Sequence, residues 1–90
     1  MVQAIVSPEE VRRFAAELKR FNENLKQEQQ RIRGRLQSLG ETWRDQEHKR
    51  FEQEFEQAVK VINHFLESSE RYVPFLIRKA ESAERYLNQR

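Results

Sequence analysis

The chain has 90 residues, with 17 Lys and Arg against 15 Asp and Glu, a formal charge of +2, two glycines, two prolines and no cysteine. These totals exclude a disulfide scaffold and a thiolate zinc site, and the interleaving of the two charge signs removes any strong pull toward nucleic acid. With hydrophobic residues at 37% and charged residues at 36%, so few turn formers point to long helices rather than sheet.

The opening stretch, Met1 to Val6, lacks the basic end and long apolar core of a signal peptide. No stretch approaches the roughly 20 apolar residues of a spanning helix, so no membrane insertion is expected. The expected location is cytoplasmic, with any export by a route that reads no cleavable leader.

Ser7 as N-cap, Pro8 at the first helical position and Glu10 three residues after the cap mark the start of a first helix at residue 8. Val11, Phe14, Ala15, Leu18, Phe21, Leu25, Ile32, Leu36 and Leu39 then recur at three- and four-residue steps, with Val11, Leu18, Leu25, Ile32 and Leu39 each seven apart. At about 100° per residue they form one stripe. Asn22 and Gln29 lie inside it, where they fix register or meet water at a loosely packed layer.

Gly40 ends this helix after Leu39 by taking the left-handed conformation, and the basic run Arg31, Arg33, Arg35 suits the negative end of its dipole. Thr42 serves as the next cap and Asp45 supplies a carboxylate to the free N–H groups of the new helix. A link confined to residues 40–42 folds the second helix back alongside the first, giving an antiparallel hairpin.

The second helix, over about 43–88, carries Phe51, Phe55, Ala58, Val59, Ile62, Phe65, Leu66, Val73, Leu76, Ala80, Ala83 and Leu87 on one face. Pro74 removes the bond to the carbonyl of Glu70, and a kink is expected near Ser69 to Val73. Both stripes are broader than one neighbour needs. The expected fold is therefore all-α: one domain, a two-helix hairpin that pairs with a second hairpin into a four-helix bundle, as a homodimer or with a similar hairpin.

Around the turn the chain reads Leu39-Gly40-Glu41-Thr42-Trp43-Arg44-Asp45, followed by Phe51. This resembles the Trp-Xaa-Gly family of small helical hairpins, the early-secreted-antigen-like substrates of type VII secretion. Leu39, Trp43 and Phe51 match the family's leucine, tryptophan and later aromatic. Asp45 stands where the family has glycine and Glu47 where it has a small residue. Leu76, Ala80, Ala83 and Tyr86 are similar to the pattern of the family's second helix. The resemblance implies a dimeric, non-enzymatic hairpin recognised by a secretion ATPase, with the tryptophan in a turn cleft that aids recognition. Family members or their partners carry a tyrosine followed four residues later by an acid. Here Arg90 follows Tyr86 and Leu76 follows Tyr72, so the chain lacks its own export tag.

No catalytic, cofactor or metal site is expected. His48 and His64 read as surface histidines, Gly34 and Gly40 stand alone without forming a phosphate loop, and no nucleophile has a base placed by motif. Arg31, Arg33 and Arg35 with Lys49 and Arg50 form a basic patch, diluted by Glu41, Asp45, Glu47 and Glu52. Val61, Phe65, Tyr72, Phe75 and Tyr86 form an aromatic shoulder rotated away from the main stripe, a candidate partner surface. The turn residues Leu39, Gly40, Trp43, Asp45 and Phe51 are the other candidate. The rival readings are a cytosolic helical adaptor without a secretion role and a weak phosphate or nucleic-acid binder.

Overall fold

The computed structural model describes residues 6–88 as two helices, α1 (Pro8–Leu39) and α2 (Gln46–Asn88), with no strand among the described residues. They fold back on one another into a hairpin 68 Å long and 22 by 15 Å across. The fold is all-α, as the apolar period predicts.

Ser7 caps α1 from an extended conformation: its hydroxyl oxygen accepts the Glu10 N–H at 3.4 Å and its hydroxyl donates to the Glu9 carboxylate at 3.2 Å. The other end differs from expectation. Gly40 keeps a right-handed conformation, φ −63° and ψ −14°. The chain leaves the helix through a tightened tail, with the Gly40, Glu41 and Thr42 N–H groups bonding to Gln37, Ser38 and Leu39 carbonyls at 3.1 Å, the short-range bonding that often closes a last turn. What Gly40 supplies is space. A Cβ there would lie 3.1 Å from the His48 ring and 3.2 Å from the Gln37 carbonyl oxygen.

The second helix begins at Gln46, later than a Thr42 cap would place it. Thr42 instead turns its hydroxyl back to the Leu39 carbonyl at 3.3 Å, and Asp45 becomes the cap, its Oδ1 accepting the His48 N–H at 3.0 Å. Pro74 lies on the exposed side of α2, and the helix runs through it without a break. There water can solvate the carbonyl that proline leaves without a donor.

The contact between the helices follows a line displaced from the most apolar one. In α1 the buried residues are Pro8, Ala15, Asn22 and Leu36, with Gln29 half-buried between them, each seven apart. In α2 they are His48, Val59, Leu66, Ser69 and Ala80. Of the α1 stripe expected from the sequence, Ala15, Leu36 and the included Asn22 are buried, Val11, Leu18, Leu25 and Gln29 half-buried, and Ile32 and Leu39 exposed. Small side chains at the centre let two helices approach closely, which drives larger neighbours to the flanks. The polar pair at mid-length is bonded in part across the hairpin: Ser69 donates to Asn22 Oδ1 at 2.7 Å, and Gln29 donates to Asn63 at 2.9 Å, while Asn22 Nδ2 and Gln29 Oε1 have no partner.

The two flanks of this seam differ in kind. One is ionic: Arg12 holds Glu84 with two bonds of 2.8 and 2.9 Å, Lys26 pairs with Glu70, and Arg33 holds Glu56 at 2.8 and 3.1 Å. The last turn of α1 has no basic residue, so the run Arg31, Arg33, Arg35 does not serve the helix dipole. Arg31 and Arg33 go to Glu28 and Glu56 instead. On the other flank Phe21 meets Phe65 edge to face at 6.3 Å, and both rings remain about half exposed.

Two substitutions test the seam. Leu66→Ala should lower stability by about 2–4 kcal/mol, because a buried cavity adds to the lost transfer energy. Ser69→Ala, which strips Asn22 of its donor, should cost about 1–2 kcal/mol. Urea titration followed by helical circular dichroism measures both, and near-zero effects would contradict the packing described.

Candidate recognition surfaces

The tip of the hairpin is built around His48, which the sequence reading took for a surface histidine. It is 4% exposed, because it falls on the heptad line of α2 that also carries Phe55, Ile62 and Ser69 and faces α1. Its Nε2 lies 3.4 Å from the Leu36 carbonyl oxygen and its Nδ1 3.5 Å from Glu52 Oε1. The indole of Trp43 stands edge to face on the ring, with centroids 4.9 Å apart. The histidine thus joins the end of α1 to the first turns of α2 and props the tryptophan.

Asp45 holds the other side of that indole. Its carboxylate accepts the His48 backbone N–H at 3.0 Å, and this bond, with the polar Trp43 side chain and the Glu47 N–H beside it, holds its pKa below the ordinary value. Asp45 therefore caps α2 and anchors the tryptophan at once. Leu39 enters the tip through its carbonyl, which accepts the Trp43 N–H at 2.9 Å. Arg44 closes the turn with a 3.0 Å bond from Nε to the Gly40 carbonyl. Four of the five expected turn residues, Leu39, Gly40, Trp43 and Asp45, are brought together here. Phe51 is not among them: it packs against Phe55, 6.3 Å away, and is about half exposed.

The aromatic shoulder divides in two. Phe65 turns toward Phe21 and belongs to the apolar flank shared by both helices. Tyr72 and Phe75 meet edge to face at 5.9 Å farther round α2, where Val61 and Tyr86 are the most exposed of the large apolar side chains, at 70% and 68%. The basic patch near the turn is weakened as a phosphate site by the engagement of Arg31 and Arg33 with carboxylates. Among the described residues no group of three His, Asp or Glu side chains could hold a metal ion, and no helix is long and apolar enough to cross a membrane.

The buried histidine and the ionic flank were missed in the sequence. Both leave a signal there. Arg12, Lys19, Lys26 and Arg33 recur every seven residues on α1, and Glu56, Asn63, Glu70, Ile77 and Glu84 do so on α2.

Residues 3–73 match the family described as WXG100, proteins of 100 residues with WXG. Comparison with curated proteins and with solved structures gives no match.

The tip generates a pH prediction. A folded pKa below the unfolded one makes the Asp45 contribution fully present above the unfolded pKa and lost as pH falls through the folded one. Asp45→Asn should therefore lower Tm by a few degrees at neutral pH, with the gap closing as pH falls through the lowered pKa of Asp45. A gap independent of pH would contradict the assignment, and the single tryptophan reports the transition by its fluorescence.

Proposed function

The chain belongs to the WXG100 family of small helical proteins associated with type VII secretion, and from that premise we propose that it acts by protein contact, as one half of a hairpin dimer whose tip is read by a secretion ATPase. Members of the family are non-enzymatic and typically dimeric.

One observation carries the dimer: the hairpin is closed by charge on one flank and left open and apolar on the other. Phe14, Phe21, Ile32 and Leu39 of α1 and Phe51 and Phe65 of α2 are all between 42% and 53% exposed. A strip about 10 Å wide along much of the 68 Å axis offers on the order of 600 Å². Stable interfaces bury roughly 600–1,000 Å² per partner, so a second hairpin laid on this flank falls at the lower end of that range and completes a four-helix bundle. The ion pairs on the opposite flank are exposed, contribute little to stability, and mark that side as solvent-facing.

The tip supports the second half of the reading. Trp43 is half-buried, held on one side by Asp45 and on the other by His48. A rigid, partly exposed indole is the kind of side chain that dominates recognition surfaces.

Light scattering should give a mass twice the chain's 11.0 kDa. The pair Phe21→Ser and Phe65→Ser should give the single-chain mass while keeping the helical spectrum. A folded wild-type monomer at tens of micromolar would overturn the dimer. For the tip, Trp43→Ala should abolish appearance of the protein in culture supernatant without changing the dimer mass, and undiminished export would remove the tryptophan from recognition.

A further inference from the structure

The buried ring of His48 has an oxygen at each nitrogen: Nε2 lies 3.4 Å from the Leu36 carbonyl oxygen and Nδ1 3.5 Å from Glu52 Oε1. A carbonyl and a carboxylate only accept hydrogen bonds. A neutral imidazole carries one N–H, so it answers one of these oxygens and turns a bare lone pair to the other. The imidazolium carries two and answers both. Leu36 also lies in the last turn of α1, the end of a helix that carries partial negative charge, and that turn holds no basic residue of its own. A charged His48 supplies one from the opposite helix. Gly40 makes the approach possible, since a Cβ there would lie 3.1 Å from the ring.

The charges around the ring are mixed. Glu41 and Arg44 from the link and Lys49 and Glu52 from α2 line the cavity beside it. Arg44 is turned to the Gly40 carbonyl, and Asp45 takes the His48 backbone N–H. Burial, the two cations and the start of α2 oppose a charge on the ring, whereas Glu52, Asp45, Glu41 and the end of α1 favour it. The favourable side has the closer contacts, because the Glu52 carboxylate and the Leu36 carbonyl meet the ring nitrogens themselves.

We propose that the tip is a proton-operated mount for Trp43: uptake of a proton by His48 ties the ring to both helices and fixes the indole that stands on it. The ring centroids are 4.9 Å apart, within the distance over which a cation attracts an aromatic ring, so the proton acts on the indole directly as well as through the position of the imidazole. Histidine is the side chain that changes charge between about pH 5 and pH 8. The linkage has one sign: the added ties are present on the acid side of the histidine range and are lost as pH rises through it. An effect on a partner rests on the tip being a recognition element, whereas the mount is a property of the isolated chain.

The test titrates Trp43 emission in the purified chain between about pH 8 and pH 5, a window that Asp45, held below the ordinary carboxylate value, does not enter. A one-proton transition is expected. His48→Gln should lose it, and His64→Gln, which removes the only other histidine, should keep it. Glu52→Gln removes the carboxylate and Gly40→Ala crowds the ring off the Leu36 carbonyl; each should shift the midpoint to lower pH. Nitrogen NMR of the wild-type ring needs no variant to fold, and should show both His48 ring N–H groups protected from exchange below the midpoint. A flat emission profile, a transition kept in His48→Gln or lost in His64→Gln, midpoints unmoved in both acceptor variants, or rapidly exchanging ring N–H groups would overturn the proposal. No partner enters the assay, so undiminished export of Trp43→Ala would remove the recognition reading and leave the mount standing.

Discussion

Everything in this hairpin depends on how two long amphipathic helices share a seam that is narrower than their apolar stripes. The centre combines Leu36, Val59 and Leu66 with Ala15, Asn22, Ser69 and Ala80, the latter small enough for two helices to lie close. Close approach pushes the other large apolar residues off the centre, and they collect on one flank. Arg12, Lys26 and Arg33 meet Glu84, Glu70 and Glu56 on the other. The result is a body with a charged, finished side and an apolar, unfinished one. Its functional reading follows from that asymmetry more than from any single residue.

The polar layer at mid-length adds direction to the seam. Asn22 with Ser69 and Gln29 with Asn63 form two hydrogen-bonded rungs, yet Asn22 Nδ2 and Gln29 Oε1 are buried without a partner. Buried polar groups cost stability when moved out of register, so these rungs penalise a slipped alignment of two helices whose apolar stripes alone would tolerate sliding by a heptad. The same logic governs the tip, where His48 bridges Leu36 and Glu52 and fixes the end of one helix against the start of the other.

Helix, hairpin and family were legible in the sequence because each rests on period and local chemistry: apolar residues at three- and four-residue steps, and a tryptophan at the turn. The facing surfaces were less legible. Hydrophobicity ranks Val11, Leu18 and Ile32 above Ala15 and Asn22, whereas a close seam selects by size and by paired polar groups, which only the opposite helix reveals. Gly40 was misread for a related reason. Glycine at a helix end suggests backbone freedom, but here the need is room for the His48 ring. His48 itself was hidden because a histidine signals solvent by type, while its place in the heptad signals burial.

The central claim is that the apolar flank, and not the ionic one, is covered in solution. Ring-proton relaxation in the presence of a soluble paramagnetic agent tests it residue by residue. The account predicts that Phe14, Phe21 and Phe65 are shielded from the agent at high protein concentration and broadened on dilution, while the side chains of Arg12 and Arg33 are broadened throughout. Rings that broaden as strongly as the arginines at every concentration would contradict it.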